Sequence, residues 1–312
     1  MPNWRISGAL AAADVRAALG VNEQAAGPDA WAFTGAPGPA LAAALGETTL
    51  PDGSRLIGAE NPDLAAALAA EIRVNPAVAG QRLEALIAAA AARMRAQTDP
   101  LPPDGGLLPP PDPGNVTLIR RRQPYAGFFT VEEHRLTHLR HDGAPTPPID
   151  RSVFLSGDAV VVLPWDVARD RVMVIDQFRA APAARGDHQP WLVETIAGRI
   201  DGVDNPEDTA RREALEEAGL TLGRLVAGPN CYPSPGAVGE YLYTFIGAAD
   251  LPDDAAGLGG LESEAEDIRT HILPRAELTR MALDGVIRNG PLVMLALWLE
   301  CSQTRVRAAL AG

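Results

Sequence analysis

One stretch decides the fold of this chain: Gly198-Arg-Ile-Asp-Gly-Val-Asp-Asn-Pro-Glu-Asp-Thr-Ala-Arg-Arg-Glu-Ala-Leu-Glu-Glu-Ala-Gly-Leu220. Its second half predicts a single helix with clear ends. Asn205 can accept hydrogen bonds from the first unpaired N–H groups, and Pro206 suits the first helical position. Gly219 is placed to end the helix, because glycine readily adopts the left-handed backbone that helix ends require.

The acidic residues of this helix work against its stability. At about 100° per residue, Glu213, Glu216 and Glu217 share one side. Like charges at these spacings cost a few tenths of a kcal/mol per pair, and anions in the last turn oppose the helix dipole. In an acidic chain the three could form a solvated face. A cation bound among the carboxylates would instead offset the cost.

The full pattern, Gly-x5-Asp-x7-Arg-Glu-Ala-x-Glu-Glu-x-Gly-Leu, resembles the Nudix hydrolase box, with Asp204 in place of the family's Glu. The resemblance extends over roughly residues 125–301. It is similar to the ADP-ribose pyrophosphatase branch, which includes tellurite-resistance proteins. Four segments carry this similarity: Tyr125–Phe129, Trp191–Gly198, Tyr232–Gly236 and Glu264–His271. The resemblance implies an α/β fold, an α/β/α sandwich with a mixed sheet.

Composition limits the classes of partner. The net charge of −13 and the pI of about 4.8 argue against nucleic-acid binding, which usually needs a basic face. Cys231 and Cys301 are too few for a disulfide framework or a zinc site. The sequence shows no signal-peptide pattern and no membrane-spanning run. We therefore expect a cytoplasmic protein that acts on a small molecule, without a membrane or nucleic-acid partner.

The chain divides by composition into three parts. Residues 1–97 are rich in alanine, and predict a small α+β or mostly helical accessory domain of unknown function. Residues 98–115 contain seven prolines, which favour an extended linker. Residues 116–312 form the predicted Nudix domain.

Local patterns predict the individual elements. In the first part, helices are predicted at Ala11–Leu19, Pro62–Arg73 and Gln81–Ala96, and a hairpin at Thr48–Gly58. In the third part, the predicted strands are Gly127–His138, Ala159–Pro164, Arg171–Phe178, Trp191–Ala197, Glu240–Ala248 and Asp267–Leu273. Helices are predicted at Arg275–Asp284 and Gly290–Leu299.

The resemblance implies a Mg²⁺ site, with Mn²⁺ as an alternative. Hard oxygen donors suit Mg²⁺, which binds through few carboxylates and keeps several waters. Glu213 and Glu217 are the expected ligands, together with the backbone carbonyl of Ala197. Glu216 is counted among the catalytic residues, either as a third ligand or as a support for a metal-bound water. The box residues with expected structural roles are Gly198, Asp204, Arg212 and Gly219.

A general base is expected outside the helix, since a metal-bound carboxylate has reduced basicity. By resemblance, Glu264 is this base, and Glu266 is an auxiliary or metal-side carboxylate. Both belong to an acidic, glycine-rich segment before a strand. Without the resemblance, this segment would be interpreted as an acidic surface loop.

Substrate contacts are also implied by the resemblance. Arg179 and Arg151 are expected to bind phosphate, since a guanidinium can hold two oxygens at once. Phe128 matches the family's aromatic residue beside adenine, although a first-strand aromatic can equally be a core residue. Glu194 and Glu240 match acidic residues near the substrate and metals, although either could simply pair with an arginine.

The predicted function is Mg²⁺-dependent hydrolysis of the diphosphate of ADP-ribose, giving AMP and ribose 5-phosphate. Two alternatives stay open. One is a diphosphatase for nucleotide sugars such as GDP-mannose, and the other is a non-catalytic Nudix sensor that binds a nucleotide. The resemblance also implies a homodimer, in which the strands around Phe128 and Arg151 contribute to the partner's site.

Overall fold

A computed structural model describes residues 4–21, 25–27, 30–33, 37–79, 82–100, 107, 111–261 and 266–311. The chain separates into two compact units. The first comprises Met1–Gly157, Asp201–Val203 and Ser234–Glu240, and the second comprises Asp158–Ile200, Asp204–Pro233 and Tyr241–Gly312. The proline-rich segment falls within the first unit, so the domain boundary expected there stays a prediction.

The first unit opens with an α+β module. Its strands are β1 (Trp4–Ser7), β2 (Ala25–Gly27), β3 (Ala30–Phe33), β4 (Glu47–Thr49) and β5 (Arg55–Ile57), in the order β2-β3-β1-β5-β4. Its helices are α1 (Ala13–Ala18), α2 (Pro37–Leu45), α3 (Pro62–Val74), α4 (Pro76–Ala79) and α5 (Leu83–Thr98). The predicted helices and the β4–β5 hairpin are confirmed. Strands β1 to β3 were missing from the sequence prediction.

A three-stranded antiparallel sheet completes most of the first unit. It consists of β6 (Val116–Ala126), β7 (Thr130–His138) and β8 (Ile149–Leu155). The predicted strand at Gly127–His138 begins later, at Thr130, because Gly127 lies in the β6–β7 turn and donates its N–H to the Phe129 carbonyl at 2.8 Å. Residues His134 and Arg151 are paired across β7 and β8.

A buried charge cluster of Glu71, Arg93, Arg121 and Glu132 lies inside this unit. Glu71 and Glu132 are 1% and 0% exposed. Arg93 donates to Glu71 at 2.9 Å and to Glu132 at 2.7 Å, and Arg121 contacts both carboxylates. His134 Nε2 lies 2.6 Å from Glu132. Burial alone would raise the pKa of Glu132, but Arg121, Arg93 and His134 outweigh burial and lower it to about 2.

The buried charge cluster joins the α+β module to the three-stranded sheet. Glu71 comes from α3 and Arg93 from α5, whereas Arg121 and Glu132 come from β6 and β7. Two buried carboxylates without their cations would be strongly unfavourable. Strands β6 and β7 therefore depend on the alanine-rich helices for their electrostatic balance.

Arg93→Met should destabilise the first unit, because it leaves two buried carboxylates with one arginine fewer. We expect a loss of about 3 kcal/mol in the free energy of unfolding, measured by urea denaturation. Arg73→Met is the matched control, since Arg73 pairs with Asp14 on the surface of α3 with both side chains about half exposed. The control should leave stability nearly unchanged. Equal losses in the two variants would contradict the role of the cluster.

The second unit contains a mixed sheet and four described helices. Its strands are β9 (Ala159–Asp166), β10 (Arg171–Phe178), β11 (Trp191–Glu194), β12 (Ile196–Arg199), β13 (Leu225–Ala227), β14 (Leu242–Ala248), β15 (Leu258–Gly259) and β16 (Ile268–Pro274). The helices are α6 (Ala180–Arg185), α7 (Pro206–Ala218), α8 (Arg275–Leu283) and α9 (Gly290–Ala311). The main strand order is β13-β14-β9-β10-β16-β15, with β14 and β9 parallel.

Both faces of this sheet are covered by helices. Val160 and Val162 of β9 share a core with Ala210 and Ala214 of α7. The intervening residues of β9, such as Val161, point to the opposite face and pack in a second core with α8 and α9. A continuous apolar strand is expected where both faces are buried. The unit is an α/β/α sandwich, as predicted.

The segment that leads into the box changes its partner strand. The predicted single strand Trp191–Ala197 is wrong in this respect, because it is divided at Thr195 into β11 and β12. Strand β11 pairs with β10, whereas β12 pairs with β9. Thr195 is buried, and its hydroxyl donates to the Val162 carbonyl. Strands β9 and β10 pair directly only near their β-turn, so β11 and β12 fill the gap between them.

Within the described ranges, no helix combines the length and the apolar character needed to cross a membrane.

Candidate active site

Helix α7 has the ends that its sequence predicts. The Asn205 side chain accepts the N–H of Glu207 at 2.8 Å, and Pro206 occupies the first helical position. Gly219 adopts a φ of 63°, and its N–H donates to the Leu215 carbonyl at 3.0 Å. Because both ends are fixed locally, the acidic side chains between them have defined directions.

Glu213 packs directly on the strand end that precedes the box. A Cβ atom added at Gly198 would lie 1.9 Å from the carboxyl carbon and from Oε1 of Glu213. No side chain fits in that space. Glycine at this position therefore allows the Glu213 carboxylate to rest against the backbone of β12, where the side chain is only 12% exposed.

Glu217 is more deeply buried, at 2% exposure. Its Oε2 accepts the Ala197 N–H at 3.1 Å. The pKa of Glu217 is raised to about 8, mainly by burial. The Ala197 N–H acts in the opposite direction, whereas the nearby charges of Glu213 and Glu266 add to the increase. Burial and the two neighbouring acids therefore disfavour the charged form of Glu217 more than the Ala197 N–H and Arg179 favour it.

Arg212 connects two of the glutamates. Its Nη1 lies 2.9 Å from Glu213 and 2.8 Å from Glu216, and the latter is the i,i+4 pair predicted from the sequence. The side chain of Glu216 is more exposed than those of Glu213 and Glu217. Asp204, the departure from the family box, is exposed and lies immediately before the helix cap.

Arg179 and Glu194 form a charged pair beside these acids. Arg179 Nε lies 3.1 Å from both Glu194 oxygens, and Nη2 lies 2.7 Å from Oε2. Glu194 is buried, while Arg179 is 41% exposed. Burial would lower the pKa of Arg179, but Glu194, followed by Glu217 and Glu266, raises it. The arginine thus lies in the field of all three carboxylates.

Residues 259–261 are attached to the C-terminal end of α7. The Gly260 N–H donates to the Glu216 carbonyl at 3.2 Å, which satisfies one of the unpaired groups at the helix end. A Cβ at Gly259 would lie 1.9 Å from the Glu217 carbonyl oxygen. Leu261 and Glu266 then exchange hydrogen bonds at 3.2 Å. The sequence showed that this segment is rich in glycine, but it did not predict that Gly259 and Gly260 pack against the end of α7.

The predicted base, Glu264, lies outside the described residues. Three predicted substrate residues belong to the first unit. Phe128 is 70% exposed, so it is not a core aromatic, and its ring meets Phe129 edge-on. Arg151 is exposed on β8. Glu240 accepts a hydrogen bond from the Ser156 hydroxyl at 2.9 Å.

The second unit's carboxylates suit a hard cation bound by few protein ligands. No group of three acids, histidines or cysteines converges on one point among the residues that the structure describes. The available donors are all oxygens, and burial with neighbouring acids raises the pKa of Glu217. A bound cation would lower the free-energy cost of keeping the Glu217 carboxylate charged in this buried position. Mg²⁺ fits this set, since it uses one or two carboxylates and completes its shell with water and phosphate oxygens.

Comparisons with known proteins identify the family of this chain. A family model described as the NUDIX domain matches residues 155–295. The ADP-ribose pyrophosphatase of Escherichia coli K12 is 37% identical over 60% of this chain and 88% of that protein. This chain belongs to the Nudix family. The ADP-ribose pyrophosphatase of Haemophilus influenzae is 31% identical over 62% of this chain and 89% of its own length. The GDP-mannose pyrophosphatase of Salmonella arizonae is 32% identical over 60% of this chain and 96% of its own length.

Membership of the Nudix family makes the chain a hydrolase of diphosphate compounds. Its Nudix helix is α7, and Glu213 and Glu217 of that helix lie against Gly198 and Ala197 of β12. The structure brings together Glu213, Glu216 and Arg212 directly, and places Glu217 against Ala197.

Gly198→Ala should displace the Glu213 carboxylate, because the new methyl group would occupy its position. We expect kcat to fall about 100-fold, the order of loss for an ångström-scale misplacement of a catalytic group. Gly257→Ala is the control, since a Cβ at Gly257 meets nothing within 4 Å. Steady-state kinetics with a diphosphate substrate measure the effect. A Gly198→Ala enzyme as active as the control would show that Glu213 is not needed in this position.

Proposed function

We propose that this Nudix hydrolase cleaves the diphosphate of ADP-ribose to give AMP and ribose 5-phosphate. The observation that carries the proposal is the position of Glu213 and Glu217 against the backbone of Gly198 and Ala197. The ADP-ribose substrate is supported by relatives named for that activity at 37% and 31% identity.

Mg²⁺, or Mn²⁺ as an alternative, would be held by Glu213, Glu217 and the Ala197 carbonyl, with Glu216 as a third ligand or a support for water. When bound, the cation would neutralise charge on the phosphates and polarise them for attack. Glu266 is close enough to Glu217 to affect its pKa, which suits an auxiliary role on the metal side.

The other residues bind and orient. Arg179 engages Glu194 through Nε and Nη2, and its Nη1 makes no hydrogen bond to any residue within the described ranges. Nη1 can donate a hydrogen bond to a phosphate oxygen while Glu194 keeps the guanidinium in place. Arg151 is proposed as a second phosphate ligand, and Phe128 as the aromatic surface for adenine. Glu240 completes the proposed substrate set.

Glu264 is proposed to take the proton from the attacking water. The water oxygen bonds to one phosphorus as the bridging P–O bond breaks, and the bridging oxygen leaves on the other phosphate. A homodimer, in which Phe128 and Arg151 serve the partner's site, belongs to the same proposal.

A nucleotide-sugar diphosphatase is the second candidate, because a GDP-mannose pyrophosphatase is also similar at 32% identity. Purified protein with Mg²⁺ should be tested on ADP-ribose, GDP-mannose, ADP-glucose and NADH. Added phosphatase releases phosphate only from the monophosphate products. We expect the highest kcat/KM for ADP-ribose. A higher value for GDP-mannose would favour the second candidate, and binding without turnover of any compound would indicate a sensor.

Glu213→Gln should reduce metal-dependent turnover roughly 100- to 1,000-fold, because it removes a negative charge from the proposed metal site. Glu207→Gln is the control on the same helix, since Glu207 is exposed in the first turn, away from the strand end. The Mg²⁺ concentration needed for half-maximal activity should rise only in Glu213→Gln. Unchanged Mg²⁺ dependence in that variant would exclude Glu213 as a ligand.

Glu264→Gln should lower kcat about 100- to 10,000-fold, the usual range for removal of a general base, with little change in Mg²⁺ dependence. Glu262→Gln is the matched control in the same acidic segment. A pH–rate profile of Glu264→Gln should also lose the acidic limb that the base produces. Near-normal turnover would rule out Glu264 as the base.

A further inference from the structure

The side chain of Gln177 is buried without a full set of partners. Gln177 lies on β10 and is 7% exposed, and its Nε2 finds no hydrogen-bond partner in the described part of the chain. A buried donor left unpaired costs about 1–3 kcal/mol. Buried polar groups in native proteins are nearly always paired, so an exception calls for a physical reason.

The direction of Gln177 follows from the alternation of side chains along β10. Residues two apart on a strand share a face. Ile175 packs in the core with Ala210 and Ala214 of the Nudix helix, so Gln177 points to that same side of the sheet. Arg179 keeps an extended backbone, with φ −123° and ψ 124°, and continues on this face.

The Arg179–Glu194 pair passes alongside Gln177. Glu194 is paired with Ile175 across β10 and β11, whereas Leu192 is paired with Gln177. Arg179 is four residues beyond Ile175, about 13 Å along an extended strand. Because its guanidinium nevertheless bonds to Glu194, the two side chains must bridge the stretch that Gln177 occupies. Gln177 therefore lies on the stretch of β10 that this charged pair spans.

Carboxylates act on Arg179 from this face of the sheet. Glu194, Glu217 and Glu266 all act on Arg179 there. A diphosphate is also rich in acceptor oxygens, so it needs donors from the protein. Gln177 supplies an uncharged donor two residues before Arg179 on the same face, and its Nε2 is buried in the free protein.

We propose that Gln177 is a further substrate-binding residue, whose Nε2 donates a hydrogen bond to an oxygen of the bound diphosphate compound beside Arg179. This inference rests on the proposed function for the presence of that substrate. The energetic cost of the unpaired amide in the free protein is then recovered on binding, which makes the residue a contributor to affinity rather than to folding.

Gln177→Met tests the proposal, since it removes the amide but keeps a long, unbranched side chain. Thr244→Val is the matched control. Thr244 is 0% exposed on β14 of the same sheet, and its hydroxyl also lacks a partner among the described residues. Its strand neighbours Tyr243 and Phe245 face the Nudix helix, so Thr244 points to the opposite face.

Both variants remove an unpaired buried group, so neither should lower the thermal unfolding temperature. Only Gln177→Met should lose function. We expect its kcat/KM to fall roughly 10- to 100-fold, the range for a lost hydrogen bond to a charged group, chiefly through KM. Calorimetric binding of a non-hydrolysable methylene analogue of ADP-ribose should weaken by the same factor.

The outcomes separate this inference from the proposed function. The kinetics use the compound of the substrate panel that the wild type hydrolyses best. If that compound is not ADP-ribose, the proposed function is corrected, but Gln177→Met can still be compared with the wild type. A folded Gln177→Met enzyme within about twofold of the wild type in both assays would overturn the inference. A loss of stability as large as the loss of binding would instead assign Gln177 a structural role. Wild-type protein that neither binds nor hydrolyses any of these compounds would overturn both proposals.

Discussion

The second unit is organised by the contact between the acids of the Nudix helix and the end of β12. Glu213 rests in the space left by Gly198, and Glu217 accepts the N–H of Ala197. The contact requires a strand end that faces the helix, and β11 and β12 provide it by filling the gap between β9 and β10. The change of partner strand at Thr195 therefore places Ala197 and Gly198 where Glu217 and Glu213 can pack against them.

Features with local causes were predictable from the sequence. The ends of the Nudix helix depend on Asn205, Pro206 and Gly219, whose conformational preferences act within a few residues. Strands β9 and β10 were predicted from their apolar runs, which are likewise a local property of the sequence. The identity of the acids on α7 was also available, because their mutual repulsion is a property of one helix.

Features with non-local causes were not predictable. Glu71 and Glu132 belong to segments that looked unremarkable, and only the fold brings their carboxylates to the same two arginines. The change of partner at Thr195 depends on how far β9 and β10 separate, which no local pattern records. Nothing in the local sequence distinguishes Gln177 from an ordinary strand residue. Its amide lacks a partner because of the groups that the fold places around it.

The buried charge cluster also bears on how this chain could have evolved. Its two acids and two arginines are divided between the alanine-rich helices and the β6–β7 hairpin, on opposite sides of the proline-rich segment. A gene fusion or recombination event joined at that segment would bring together halves whose buried charges do not match. A substitution at any one of the four positions would likewise leave a buried charge without its partner. The ion pairs therefore require the alanine-rich helices and the β6–β7 hairpin to be inherited together, although the proline-rich segment separates them in the sequence.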